Sequence, residues 1–259
     1  MGRIDSVRGL KAGGGNAGVP TVTTPRPDKS KEAVRRGAVG ACRTEKTAVT
    51  FATVPTFELE AAEHLLGSGP IAGVDEAGRG PWAGPVVAAA VILTPGCIPS
   101  GLNDSKMLSA DTRALAFDRI VACALVGIGI ADVARIDRDN ILQATLWAMT
   151  QAIEQLSEQP GLALIDGNRL PQLWCRARAI VKGDAKCLSI AAASIIAKVT
   201  RDRLMEELAR DWPGYGFERH KGYGVPEHKA ALTRLGPSPH HRRSFKPVQL
   251  ALGFDNSSR

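Results

Sequence analysis

The stretch IAGVDEAGRGPWAGPVVAAAVIL, residues 71 to 93, constrains this chain more than any other. Its second apolar run, Pro85 to Leu93, carries no charge and reads as a strand buried on both faces. The first run, Ile71 to Val74, is short and stops against Asp75 and Glu76, which share a bend with Arg79 and with the glycines at 73, 78, 80 and 84. Two adjacent carboxylates at the end of such a strand sit badly in a core, because an unpaired buried charge costs several kcal/mol or shifts its pKa until it neutralises. Something cationic must meet them. The glycines permit positive φ and let backbone amides approach a ligand closely. Taken alone, the stretch also admits the blander reading of a charged hairpin loop lying in water.

The rest of the chain supplies the layers such a strand needs. Residues 1 to 53 are rich in Gly, Thr, Pro, Lys and Arg, with GGG at 13 to 15 and no apolar period before Phe51. They read as a disordered basic extension, an overextended start or a loose arm, whose removal is expected to leave catalysis intact. Thr56 is the expected N-cap of a helix over FELEAAEHLL, closed by Gly67. Ser109 caps a second helix over 110 to 124, and Leu125 to Val133 reads as a third strand. Apolar residues at 141, 142, 146, 149, 153 and 156 predict an amphipathic helix from Asp139 or Asn140 to Leu156. LALIDGN is a short buried strand ending in Asp166; RARAIVKGD alternates apolar and basic residues and reads as a half-exposed strand ending at Asp184. An alanine-rich helix follows over Ser189 to Ala209, then YGFERHKGYG, a short helix around Glu227 to Leu235, and HHRRSF. Strand hairpins mixed with crossover helices argue for an α/β chain, a mixed sheet flanked by helices in one domain from about 55 to 250, with a flexible tail at 253 to 259.

Charge is unevenly spread. The whole chain carries +7, but residues 1 to 50 carry +6, residues 51 to 165 carry −7 and residues 166 to 246 carry +8. An acidic first half and a basic second half suit a protein that collects divalent cations in one region and phosphates in another. The five cysteines form no CxxC pair and are odd in number, so neither a zinc site nor a disulfide framework is indicated, and a reducing cytoplasm fits best. No membrane-spanning run and no signal peptide are expected.

Strand ends carrying Asp75 with Glu76, Asp166 and Asp184 would place four carboxylates at one sheet edge if those strands are neighbours. Anions gathered without matching lysines in the same segments favour oxygen-liganded Mg²⁺ or Mn²⁺. A pair of such ions can activate water and stabilise a leaving oxygen during attack on a phosphodiester. Each aspartate singly is also an ordinary turn former.

GVDEAGRGPWAGPVVAAAVIL, LNDSKMLS, LIDGNR, VKGDAKCLSIAAASIIAKVTRD, YGFERHKGYG and HHRRSF, in that order, resemble the bacterial ribonuclease HII family over residues 70 to 252. The resemblance implies a ribonuclease H-like fold, a five-stranded mixed sheet with flanking helices, and a carboxy-terminal helical lobe beginning near residue 205. It implies two-metal hydrolysis of the RNA strand of RNA/DNA hybrids and incision 5′ of single ribonucleotides in duplex DNA, by a protein acting as a monomer. The catalytic and metal-binding carboxylates would be Asp75, Glu76, Asp166 and Asp184. In that arrangement Asp75 bridges both ions, Asp184 helps hold the one bearing the attacking water, and Asp166 and Glu76 serve the other. Gly78, Arg79 and Gly80 would read the 2′-OH and the adjacent phosphate, and Tyr223 would pack on the sugar; Lys106, Ser194 and Lys198 are phosphate-contact candidates. His240, His241, Arg242 and Arg243 are read either as phosphate contacts or as a solvated end of the lobe. Met107 and Trp82 depart from the family pattern, the first removing a possible phosphate contact. The rivals are a non-catalytic nucleic-acid-binding protein and another nuclease of the same fold, such as a junction resolvase or a ribonuclease HIII.

Overall fold

The computed structural model describes residues 54 to 253; the expectations for the basic extension and for residues 254 to 259 lie outside the described residues. In chain order the elements are α1 (Glu58–Leu65), β1 (Ile71–Ala77), β2 (Val86–Leu93), α2 (Ala110–Cys123), β3 (Ala124–Ala131), α3 (Val133–Glu154), β4 (Leu162–Asp166), β5 (Arg176–Ile180), a 3₁₀ turn (Gly183–Ala185), α4 (Leu188–Asp211), α5 (Phe217–His220), α6 (Pro226–Leu235) and α7 (Lys246–Ala251). The strands form one five-stranded sheet in the order β3-β2-β1-β4-β5. The β1–β2 and β2–β3 pairs are antiparallel, whereas β1–β4 and β4–β5 are parallel.

Every residue of β2 is buried, as its apolar run requires. Alternation along it feeds two cores. Val86, Ala88, Ala90 and Ile92 face a cluster with Ala144, Ala148 and Ala152 of α3. Ala89, Val91 and Leu93 face Ala192, Ala193, Ile195 and Ile196 of α4 and Ile120 of α2. Small residues bring α4 close to the sheet: a Cβ on Gly73 would lie 2.1 Å from the backbone carbon of Ser189. Among the described residues no helix is long and apolar enough to cross a membrane.

Ser109 caps α2 as expected, accepting from the Thr112 amide at 3.2 Å. Thr56 does not cap α1: it forms a bridge with Cys187 instead, its amide donating to the Lys186 carbonyl at 3.1 Å. The capping on this side runs the other way, since buried Glu60 accepts from the Ser189 amide at 2.8 Å and its hydroxyl at 2.7 Å. A carboxylate thereby meets the exposed donors at the start of α4. The third helix begins at Val133, capped by Asp132, rather than at Asn140. Asn140, at φ 69, breaks it and recaps the second part through bonds from the Leu142 and Gln143 amides at 3.0 and 3.1 Å.

Candidate active site

Strand β1 runs through Ala77, so Asp75 and Glu76 lie in the strand rather than in the bend. They stand opposite Ala89 and Ala88 of β2, which offer no countercharge. The parallel partner β4 pairs Ile165 with Val74, so Asp75 and Asp166 each come one residue beyond the same rung. The carboxyl ends of two adjacent parallel strands therefore deliver two of the predicted groups side by side.

Asp184 arrives differently from expectation. Strand β5 stops at Ile180, and Lys182 at φ 55 reverses the chain, so Asp184 sits in the 3₁₀ turn ahead of α4. A hydrogen bond ties that turn to β4: the Gly183 amide donates to Asp166 Oδ1 at 2.6 Å. Lys106, from the loop between β2 and α2, reaches Asp184 at 3.2 Å, and Arg79 reaches Glu76 at 3.2 Å.

Asp75 is 5% exposed and accepts from the Glu76 amide at 2.7 Å. Burial, with Glu76 and Asp166 beside it, pushes its carboxyl well above the ordinary carboxylate range. Burial also raises Glu76, against the opposing pull of Arg79, and raises Asp166. Such groups carry unmet negative charge, which a cation would relieve. All four offer hard carboxylate oxygens, the donor set that Mg²⁺ and Mn²⁺ take. The set is not a finished cage: among the described residues no three His, Cys, Asp or Glu side chains are gathered as a ready ion site, and Lys106 and Arg79 meet two of the carboxylates.

A cavity of about 310 Å³ opens above this sheet edge, lined by Asp75, Glu76, Asp166, Gly78, Arg79, Gly80, Lys106, Ser194, Lys198 and Tyr223 together with Ala77 and Ser105. The fold thus gathers the residues singled out in the sequence around one space, with Asp184 joined to it through Lys106. Buried Ser194 shares a 2.8 Å hydrogen bond with Ser105, fixing the loop that carries Lys106. Lys198 pairs with Asp202 at 2.6 Å. Tyr223 is exposed, and its Cε1 lies 3.6 Å from where a Cβ on Gly80 would be.

Two arginines hold the turn that carries Gly78 to Gly80, and sequence reasoning missed both. Arg242, read as a phosphate contact or a solvated residue, is fully buried. Its guanidinium donates to the carbonyls of Gly78 at 2.6 Å, Arg79 at 2.9 Å, Gly84 at 2.8 Å and Pro85 at 3.2 Å. Arg201 of α4, 1% exposed, donates to Pro85, Ala83 and Lys221 carbonyls at 3.0 to 3.2 Å. Gly78, at φ +97, has no room for a Cβ, which would lie 2.0 Å from Arg201 Nε. Burial, and then the charge of Arg201, lowers the Arg242 pKa from its ordinary value. His241 is likewise buried and not a phosphate contact, whereas Arg243 is exposed and its amide donates to Asp137 at 2.9 Å. The only sequence signal for Arg242 was its membership in HHRRSF.

This five-stranded mixed sheet, with helices on both faces and carboxylates at the ends of its central strands, has the ribonuclease H-like fold. The family model described as Ribonuclease HII matches residues 72–248. Ribonuclease HII of Azorhizobium caulinodans is 55% identical over 217 residues, covering 83% of this chain and 84% of the relative. Ribonuclease H2 from Pyrococcus horikoshii OT3 superposes with a TM-score of 0.61 at 27% identity, over 70% of this chain and 96% of that one. Bst-RNase HIII in complex with Mn²⁺ shares the fold, with a TM-score of 0.59 at 21% identity over 74% of this chain and 72% of that one. The chain belongs to the ribonuclease HII family. It is an endoribonuclease of the ribonuclease H type, with the divalent-metal dependence general to that family.

Proposed function

We propose that this chain hydrolyses the RNA strand of RNA/DNA hybrids and also incises on the 5′ side of a single ribonucleotide in duplex DNA, leaving 3′-OH and 5′-phosphate ends. One observation carries the reading. The carboxylates Asp75, Glu76 and Asp166 share one cavity with the Gly78–Gly80 turn and with Tyr223, so a group that meets a sugar and groups that suit cations face the same space.

Asp75, Glu76, Asp166 and Asp184 would hold two Mg²⁺ or Mn²⁺ ions. Bound there, such ions lower the pKa of a water and neutralise charge on the leaving oxygen. The chain's own residues do the rest. Asp75, buried beside Glu76 and Asp166, is the carboxylate whose charge most needs a cation. Arg242 takes the carbonyls of Gly78 and Arg79, which leaves the turn's amide groups as its face toward a sugar. Backbone amides can recognise a 2′-OH, which both donates and accepts, and so separate RNA from DNA. The Tyr223 ring stands across from Gly80, where it closes the same subsite from the other side. Lys106, Ser194 and Lys198 line the same cavity and would contact phosphate there, and the +8 of residues 166 to 246 draws the duplex in. This is the work of a monomer on a cytoplasmic nucleic-acid duplex.

Substitution tests the assignment. Asp75→Asn or Asp184→Asn should reduce cleavage of a continuous hybrid in Mg²⁺ by about 10²–10³-fold, the scale expected when a preorganised electrostatic group is lost. Near wild-type turnover in either variant would remove that residue from the metal set.

A further inference from the structure

Behind Tyr223 lies a buried line of histidines that the proposed chemistry does not use. His228 and His241 are both 0% exposed and Ser238 is 2% exposed. His228 Nδ1 lies 2.9 Å from the Tyr223 carbonyl, and His228 Nε2 lies 3.0 Å from His241 Nε2. His241 Nδ1 meets the Ser238 amide at 3.0 Å and the Ser238 hydroxyl at 2.8 Å.

The ends of this line fix every proton in it. A carbonyl only accepts, so His228 Nδ1 carries the hydrogen and donates to Tyr223. In a neutral ring His228 Nε2 is then the acceptor, so His241 must donate from its own Nε2. That leaves His241 Nδ1 to accept, which is what a backbone amide from Ser238 requires. Protonating His228 would set its Nε2–H against that of His241, and protonating His241 would set its Nδ1–H against the Ser238 amide, across 3.0 Å in each case. The rings are also clamped: His220 stacks on His228 at 4.6 Å, Phe217 meets His228 edge-on at 5.6 Å, and Trp82 lies 5.3 Å away. His220 supports the same segment, accepting from the Gly222 amide at 3.2 Å while its other nitrogen meets the Tyr215 carbonyl at 2.8 Å.

We infer that Ser238, His241 and His228 form a one-way hydrogen-bond chain ending on the backbone of Tyr223, and that His228 and His241 are positioning residues for sugar recognition. The inference rests on the reading of Tyr223 as the residue that packs on the sugar beside the cut. The chain enters at a main-chain atom, so it sets where the Tyr223 ring stands without touching substrate. Trp82 and Arg242 tie the same layer to the Gly78–Gly80 turn, through the Trp82 amide on the Gly222 carbonyl at 2.8 Å and the Arg242 amide on the Trp82 carbonyl at 2.8 Å. Both halves of the sugar subsite thereby hang on one buried network.

Long-range ¹H–¹⁵N correlation of the full chain labelled at histidine tests the protonation pattern in the unsubstituted protein. At pH 7.5 His228 should be the Nδ1–H tautomer and His241 the Nε2–H tautomer, the signals assigned by their loss in His228→Asn and His241→Asn. An Nε2–H tautomer at His228, or two rings averaging between forms, would overturn the chain. Activity supplies the second arm, read as the ratio of kcat/KM on a duplex with one ribonucleotide to that on a continuous hybrid. His228→Leu should lower this ratio at least tenfold, and His228→Asn, whose amide can replace the Nδ1 donor, should restore most of it. Tyr223→Ala separates the two levels. If it leaves the ratio unchanged, the reading of Tyr223 fails; if it lowers the ratio while folded His228→Leu does not, the positioning role fails.

Discussion

The guanidinium of Arg242 donates to the carbonyl of Gly78 at 2.6 Å, joining residues 164 positions apart. The bond sets the orientation of the turn that follows β1. With its companions to Arg79, Gly84 and Pro85 it is a buried positive charge met by carbonyl dipoles rather than by a carboxylate.

Arg242→Lys should therefore behave as a severe change. A lysine keeps the charge but cannot span that set of carbonyls, and buried acceptors left unmet cost about 1–3 kcal/mol each. A stability loss of about 3–5 kcal/mol is expected by chemical denaturation, with a rise in KM for hybrid in whatever fraction remains folded. Retained stability would mean that the turn holds itself.

Asp75→Asn should raise the melting temperature in EDTA while abolishing cleavage. The substitution removes a buried charge crowded by Glu76 and Asp166, and the amide oxygen can still accept from the Glu76 amide. Adding Mn²⁺ should stabilise the unsubstituted protein and leave the variant nearly unmoved, by binding linkage. Differential scanning calorimetry with and without metal reads both effects; a fall in the EDTA melting temperature would show that Asp75 is already compensated within the chain.

Acid should weaken the histidine network. Burial, and then the neighbouring His228, lowers His241 to about 4, and burial lowers His228 as well, with His220 and His240 adding like charge. Unfolded histidine titrates near 6.5, so between about 6.5 and 4 the unfolded chain binds more protons and stability falls as pH falls. The full span for His241 is about 3 kcal/mol. Asp75, Glu76 and Asp166 act in the opposite sense, because their raised values favour the protonated folded form. The histidine contribution is isolated by comparison: urea midpoints between pH 7.5 and 5 should fall more steeply in the unsubstituted chain than in His241→Asn. Parallel curves would contradict it.

Much of the fold could be read from local pattern. The uncharged run of β2 and the stripe on the second part of α3 each declared a buried face, and Asp75, Glu76 and Asp166 were visible because charge follows directly on an apolar run. The ribonuclease HII resemblance then named the partners that spacing alone left open. What escaped depends on long-range contact or on a single backbone angle. Asp184 looked like a strand end because nothing in VKGD announces the left-handed turn at Lys182. The first part of α3 was hidden behind the reversal at Asn140. Arg242, like His241, carried the composition of a surface cluster, and only the closing of residues 240 to 242 onto 82 to 84 buries it.

The proposed function puts cutting and the test for a 2′-OH in one cavity. Its most direct measurement is cleavage of three matched duplexes in Mg²⁺: all DNA, DNA with one ribonucleotide, and a continuous RNA/DNA hybrid. The arrangement predicts a single cut on the 5′ side of the lone ribonucleotide, cleavage of the hybrid and no cut in the all-DNA duplex. Cleavage of the all-DNA duplex, or an intact single-ribonucleotide duplex beside a cut hybrid, would contradict it.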